Sequence, residues 1–126
     1  MGEYRVRQGD QYAIPFPILI RDTVITREMI DSTDPENAGD VEIIVGNLRK
    51  TYRDNQVKFN EMTYTFDFPL TQEETFKFRP GSVLQSQVRV RLVKINSDDM
   101  ATIFSFDGPD IVVEAAMKGT QLLETN

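Results

Sequence analysis

The chain reads as an all-β domain, an antiparallel two-sheet sandwich of Ig-like type with about seven or eight short strands and one helical turn near residues 71–77. Three observations lead there. Apolar and polar residues alternate with a period of two through most of the sequence. Clusters of Gly, Asn, Asp and Pro break that alternation at short intervals. The stretch beginning at Thr71 carries helix-start chemistry, with room for only a turn or two before Pro80-Gly81. The 126 residues suit a single domain over 1–126, long enough to bury a core without disulfides or metals.

The elements follow in order. Tyr4 and Val6 alternate with Arg5 and Arg7, and Gln8-Gly9-Asp10 supplies a turn. Tyr12 to Arg21 is extended, with Ile14, Phe16, Ile18 and Ile20 on one face and Pro15 and Pro17 on the other. Proline has no N–H for the ladder, so this strand is expected at an edge or with a bulge. Thr23 to Met29 reads equally as a short strand or a stub of helix, and 31–40 as a polar loop. Val41 to Val45 is a β-branched core strand, Gly46-Asn47 a turn or bulge, and Leu48 to Tyr52 a strand with alternating cations. After a turn at 53–55, Val57 and Phe59 begin another extended piece. Met62 to Leu70 is expected to set Tyr64, Phe66 and Phe68 on one face and Thr65 and Asp67 on the other.

Thr71-Gln-Glu-Glu74 matches a capping box, and Pro80-Gly81 stops the helical turn it starts. Val83 to Lys94 alternates Val88, Val90 and Leu92 with Arg89, Arg91 and Lys94. Asn96 to Asp99 is a hairpin-like turn, and Met100 to Phe106 and Ile111 to Ala115 are the last strands. The tail from 117 to 126 is expected to fray or form a short helix. Phe66, Phe68, Phe76, Phe78, Phe104 and Phe106 are assigned to the core.

Composition narrows the chemistry. The chain has no cysteine and no histidine, so thiolate metal sites, cysteine nucleophiles, Ser–His–Asp triads and imidazole general bases are excluded. The net charge of −6 is spread through both halves, which argues for solubility and against nonspecific DNA binding. The polar N-terminus does not resemble a signal peptide, and the longest apolar run, Ala13 to Ile20, is too short to span a membrane.

Three constellations come into question. Asp31, Asp34, Glu36 and Asp40 could offer oxygens to calcium, but the EF-hand spacing fails. Counted from Asp34, Ala38 occupies the fifth position and Val45 the twelfth, where a bidentate glutamate belongs. A solvated loop is the better reading. Asp67 with Glu42, or Asp98 with Asp99, could in principle serve as a glycosidase pair, but nothing in the sequence brings them together across a cleft. Arg49, Lys50 and Arg53 with Arg89, Arg91 and Lys94 form a basic stripe if their strands are neighbours. Tyr52 could then stack a base, as single-strand binders do. A polar face paired with acids such as Asp67 and Glu42 explains the same residues more simply, and a protein interface is the middle reading, since Arg and Tyr are enriched at hot spots.

Four segments carry a resemblance: Gln8-Gly9-Asp10-Gln-Tyr-Ala-Ile-Pro-Phe, Val41-Glu-Ile-Ile-Val-Gly46-Asn-Leu-Arg-Lys50, Leu70-Thr-Gln-Glu-Glu-Thr75 and Gln87-Val-Arg-Val-Arg91. Their order resembles small proteins encoded in the tail and baseplate modules of phages and prophages of low-GC Gram-positive bacteria. It is also similar to the N-terminal β-sandwich domain of upper baseplate proteins. The resemblance implies a non-enzymatic structural or assembly component of the virion, made in the bacterial host cytoplasm. It implies contacts with itself, as a homo-oligomer, or with other phage structural proteins, and it brings no catalytic residue, cofactor or metal. A small β domain binds by adding a strand at an open edge or by burying a face. Pro15 and Pro17 protect the edge they lie on, which favours a face, and Arg49, Tyr52, Arg89 and Arg91 are its candidate residues. A carbohydrate- or small-ligand-binding sandwich is the alternative, and single-stranded nucleic-acid binding a third.

Overall fold

The computed structural model describes residues 2–96 and 100–124, and shows the expected sandwich-like all-β fold. Among the described residues there are twelve strands in chain order: β1 (Glu3–Arg7), β2 (Tyr12–Pro17), β3 (Leu19–Ile20), β4 (Thr23–Val24), β5 (Asp40–Val45), β6 (Leu48–Thr51), β7 (Lys58–Asn60), β8 (Thr65–Leu70), β9 (Val83–Leu84), β10 (Ser86–Arg91), β11 (Ile103–Asp107) and β12 (Asp110–Glu114). One helical turn, α1 (Gln72–Phe76), sits where the capping box placed it, and a 3₁₀ turn spans Arg27–Met29. The count exceeds the sequence expectation because long alternating stretches divide: Tyr12–Arg21 becomes β2 and β3, and Val83–Lys94 becomes β9 and β10. The ambiguous 23–29 stretch turns out to hold both readings, β4 followed by the 3₁₀ turn.

The strands pair as β11-β10-β5-β6, β2-β8-β7, β1-β12-β9 and the small β3-β4 hairpin. All pairs are antiparallel except β1 with β12, which run parallel and join the two ends of the domain. Inward side chains of the three larger sheets make one core: Val41, Ile43, Val45, Val88 and Val90 from the first, Ile14, Phe16, Phe66, Phe68 and Leu70 from the second, Val6, Ile111 and Val113 from the third. Burial of that apolar area is the main favourable term in folding.

The prolines obey the ladder. β2 is an edge strand, and Pro15 and Pro17 turn their missing donors away from β8. Pro69 lies in central β8, yet β7 pairs only as far as Lys58 with Asp67. Beyond that end, the Pro69 carbonyl accepts from Lys50 Nζ at 2.6 Å. The absent N–H of Pro69 therefore has no strand to meet.

Several sequence expectations are corrected. Met62 is 93% exposed, and Tyr64 adopts φ +55 in the turn before β8, so neither belongs to that strand's buried face. Phe76 is 39% exposed and Phe78, Phe104 and Phe106 are only half-buried. Phe104 and Phe106 point inward but lie on β11, an edge strand with nothing beyond it to complete their cover. The tail forms no helix over 117–124; the Gln72 amide pins it by donating to the Leu123 carbonyl and accepting from its N–H, both at 2.8 Å. The 96–99 turn lies largely outside the described residues.

Candidate functional site

Strand register gathers three of the four nominated residues. On the outer face of the four-stranded sheet, Arg89 stands opposite Glu42, Arg91 opposite Asp40, and Arg49 opposite Ile44. Arg49 Nε donates to Glu42 Oε2 at 2.5 Å, and Arg89 lies 3.7 Å from the other carboxylate oxygen. One half-buried glutamate thus serves two exposed arginines, and among the described residues no carboxylate pairs with Arg91. Asp40 does not serve it: its Oδ1 accepts from the Val41 and Arg53 amides. Ile103, 54% exposed, stands opposite Arg91 on β11 and adds an apolar element to the face. The face is mixed in charge, with three arginines bordered by Glu42, Asp40 and Asp107.

Tyr52 departs from this group. It follows β6, and its ring packs edge-on against Phe66 with centroids 5.6 Å apart. Burial, and then a hydrogen bond to Asp31, push its phenol up to about 12. It lines an open groove of about 860 Å³ between the 27–39 segment and the 52–59 turn, together with Arg27, Asp31, Arg53, Lys58 and Phe59. The cations beside Tyr52 are thus Arg27, Arg53 and Lys58, none of them on the outer face that carries Arg49, Arg89 and Arg91. Asp67 also departs: it accepts from Thr65 Oγ1 on its own strand and from Asn60 Nδ2 on β7, and among the described residues it makes no ion pair with the arginines. Asp98 and Asp99 lie outside the described residues.

The acidic loop is organised from within. Asp34 accepts from the Glu36 amide through Oδ1 and from Asn37 Nδ2 through Oδ2, and Asp31 faces Tyr52. No group of three or more acidic side chains converges to hold a metal among the described residues.

The segments behind the resemblance meet in space. Buried Thr75 accepts from the Gly9 amide at 3.0 Å and donates to the Asp10 carbonyl at 2.8 Å, locking the Gln8-Gly9-Asp10 turn onto α1. Gln8 donates to the Phe78 carbonyl and accepts from the Ala116 amide. Gly9 has φ +85, a conformation glycine adopts without steric cost. Lys50, from the central segment, donates to Glu74 Oε1 at 2.8 Å, and that same oxygen closes the capping box with the Thr71 amide. Burial alone would raise the Glu74 pKa; the hydrogen bonds from Lys50 and Thr71 outweigh it and hold the carboxyl below its ordinary value. The motifs are thus ties between elements. By alternation Lys50 takes the inward side of β6, opposite buried Ile43, while Arg49 points outward; no spacing in the sequence signals that its partner there is Glu74.

Among the described residues no helix is long and apolar enough to cross a membrane. Comparison with known protein families, curated proteins and solved structures finds no match to this chain.

Proposed function

We propose that this chain is a non-enzymatic structural or assembly component of a phage or prophage particle that docks on copies of itself or on other particle proteins. The observation that supports this reading is the outer face of β11-β10-β5-β6, where Arg49, Arg89 and Arg91 stand beside exposed Ile103 with only Glu42 shared between two of them. Arginine beside apolar surface is the composition of interface hot spots. The carboxylates once in question as a catalytic pair support the same reading, since Glu42 is committed to arginines and Asp67 to its own strand neighbours.

The test is co-purification with the products of the adjacent genes, wild type against Arg89→Glu combined with Arg91→Glu. A tail or baseplate protein recovered by the wild type and lost by the double variant is the expected result. No capture of any neighbouring product, or capture that ignores the charge reversal, overturns the docking face.

A carbohydrate- or small-ligand-binding module is the second reading, and the open Tyr52–Arg27–Lys58 groove is what favours it. A glycan panel and melting with and without chelator decide it; an unchanged melt in both removes this reading.

A further inference from the structure

The hydrogen-bond register of β11 shows which of its main-chain groups are free. Leu92 N–H donates to the Thr102 carbonyl and Gly108 N–H to the Ser86 carbonyl. With the register Val90–Phe104 and Val88–Phe106 between them, the even-numbered residues of β11 face β10. Ile103, Ser105 and Asp107 therefore direct their N–H and C=O groups away from the sheet, and no strand pairs with them among the described residues. Of the other edges of five residues or more, β2 is blocked by two prolines, and β1 carries Glu3, Arg5 and Arg7, with the Arg7 N–H donating to the Tyr12 hydroxyl. β11 carries no proline, no lysine and no bulge, the devices that usually guard an edge.

We propose that β11 is a self-pairing edge, joining two copies of this chain antiparallel about a two-fold axis through Ser105 and merging two four-stranded sheets into one of eight. The strand Ile-Phe-Ser-Phe-Asp is nearly palindromic about that serine. Under the two-fold, Ser105 meets Ser105 of the second copy in a hydrogen-bonded pair that uses the free groups. Phe104 meets Phe106 of the second copy twice, in the closer non-hydrogen-bonded positions where aromatic cross-strand pairs gain most. Both phenylalanines are half-exposed in the single chain.

A hollow of about 210 Å³ lies beside Phe106, lined by Pro15, Phe16, Pro17, Val88 and Pro109. An apolar space of roughly 150 Å³ accepts benzene, so it has room for the incoming Phe104 ring. On the outer face, Asp107 of the second copy comes opposite Ile103, two strand spacings from Arg91, the arginine with no carboxylate partner among the described residues. Two spacings are about 9.6 Å, a gap that an arginine and an aspartate span together. A single strand pair buries less than the roughly 1,200 Å² of stable complexes, so dimerisation is concentration-dependent.

This inference rests on the assembly reading only in taking a protein as partner; it uses the strand edge, whereas docking uses the arginine face. The chain has no native cysteine, so Ser105→Cys introduces one thiol on the proposed axis. Opposed Cα atoms at about 5.5 Å in such a pair lie within disulfide range. Under diamide, Ser105→Cys is expected to form a covalent dimer several times faster than Thr33→Cys, an exposed loop control. By sedimentation the wild type is expected to gain mass with concentration. Ser105→Pro, which removes an N–H that β10 does not use, stays monomeric with an unchanged melt. Should that proline lower the melt, Ile103→Asp, which sets like charges opposite Asp107 of the second copy, is expected to abolish the dimer. Cross-linking no faster than the control, or a wild type monomeric at every concentration, overturns the pairing. Arg49→Glu with Arg89→Glu, which spares Arg91, is expected to remove docking and leave the Ser105→Cys cross-link in place, so loss of docking and loss of pairing are told apart.

Discussion

Replacing Lys50 with methionine tests the tie between the four-stranded sheet and α1. The Lys50 side chain is 12% exposed; its Nζ donates to the Pro69 carbonyl at 2.6 Å and to Glu74 Oε1 at 2.8 Å, and sits 5.1 Å from the Phe68 ring centre. Methionine keeps the apolar stem and removes the charge and donors. Two hydrogen bonds from a charged group are worth about 1.5–3 kcal/mol each. Glu74 remains 25% exposed, so water replaces part of what is lost. A net cost of about 2 kcal/mol at neutral pH follows, a fall in Tm of roughly 8 °C for a domain this size.

The pH dependence sharpens the test. The folded-state pKa of Glu74 lies below its ordinary value. Its contribution is therefore fully present above the unfolded pKa of about 4.3 and lost as pH falls through the lower folded value. Urea denaturation at pH 7 and pH 3 should show the gap between wild type and Lys50→Met narrowing in acid, with a remainder from the Pro69 contact. A gap unchanged between the two pH values, or a cost below about 0.5 kcal/mol, the range of ordinary surface substitutions, refutes the reasoning.

Thr75→Val keeps the shape but leaves the Gly9 amide and the Asp10 carbonyl unpaired beside a fully buried side chain; a loss of about 2–4 kcal/mol is expected by urea denaturation, and a loss no larger than that of Thr33→Val contradicts the lock. Ultraviolet titration should show one tyrosine ionising last, near pH 12, and Tyr52→Phe should abolish that step. Because the folded pKa of Tyr52 is raised above its ordinary 10.0, the stability it contributes is present below that pH and fades as pH climbs through about 12. Loss of a step near pH 10 in the variant would place Tyr52 in solvent instead.

Local chemistry made much of the fold legible. Glu74 follows Thr71 at the capping-box interval, and the box is formed. Pro15 and Pro17 demanded an edge, and β2 is one. The β3–β4 hairpin stayed hidden because Arg21 and Asp22 hold φ +51 and +66, the positions that Asn-Gly usually takes in such a turn. Phe104 and Phe106 read like core because alternation reports which face a side chain points to, not whether another strand lies beside it.

The candidate site divides along the same line. Arg49, Arg89 and Arg91 share a face by parity once β5, β6 and β10 are neighbours, so their grouping was half legible. Tyr52 lies three positions from Arg49, on the opposite parity, and because β6 ends at Thr51 the chain turns it toward Phe66.

By itself the sequence determined the β class, the turns, the helical turn at 72–76 and the absence of imidazole and thiol chemistry, since these rest on residue type and on neighbours a few positions away. Only the tertiary structure decided that Lys50 reaches Glu74, that Thr75 holds the Gln8-Gly9-Asp10 turn, that Tyr52 leaves the arginines, and that β11 is an open edge. Each of those is a contact or a vacancy between residues far apart in the chain, and which strand lies beside which is set by packing one shared core, for which no local pattern is a proxy.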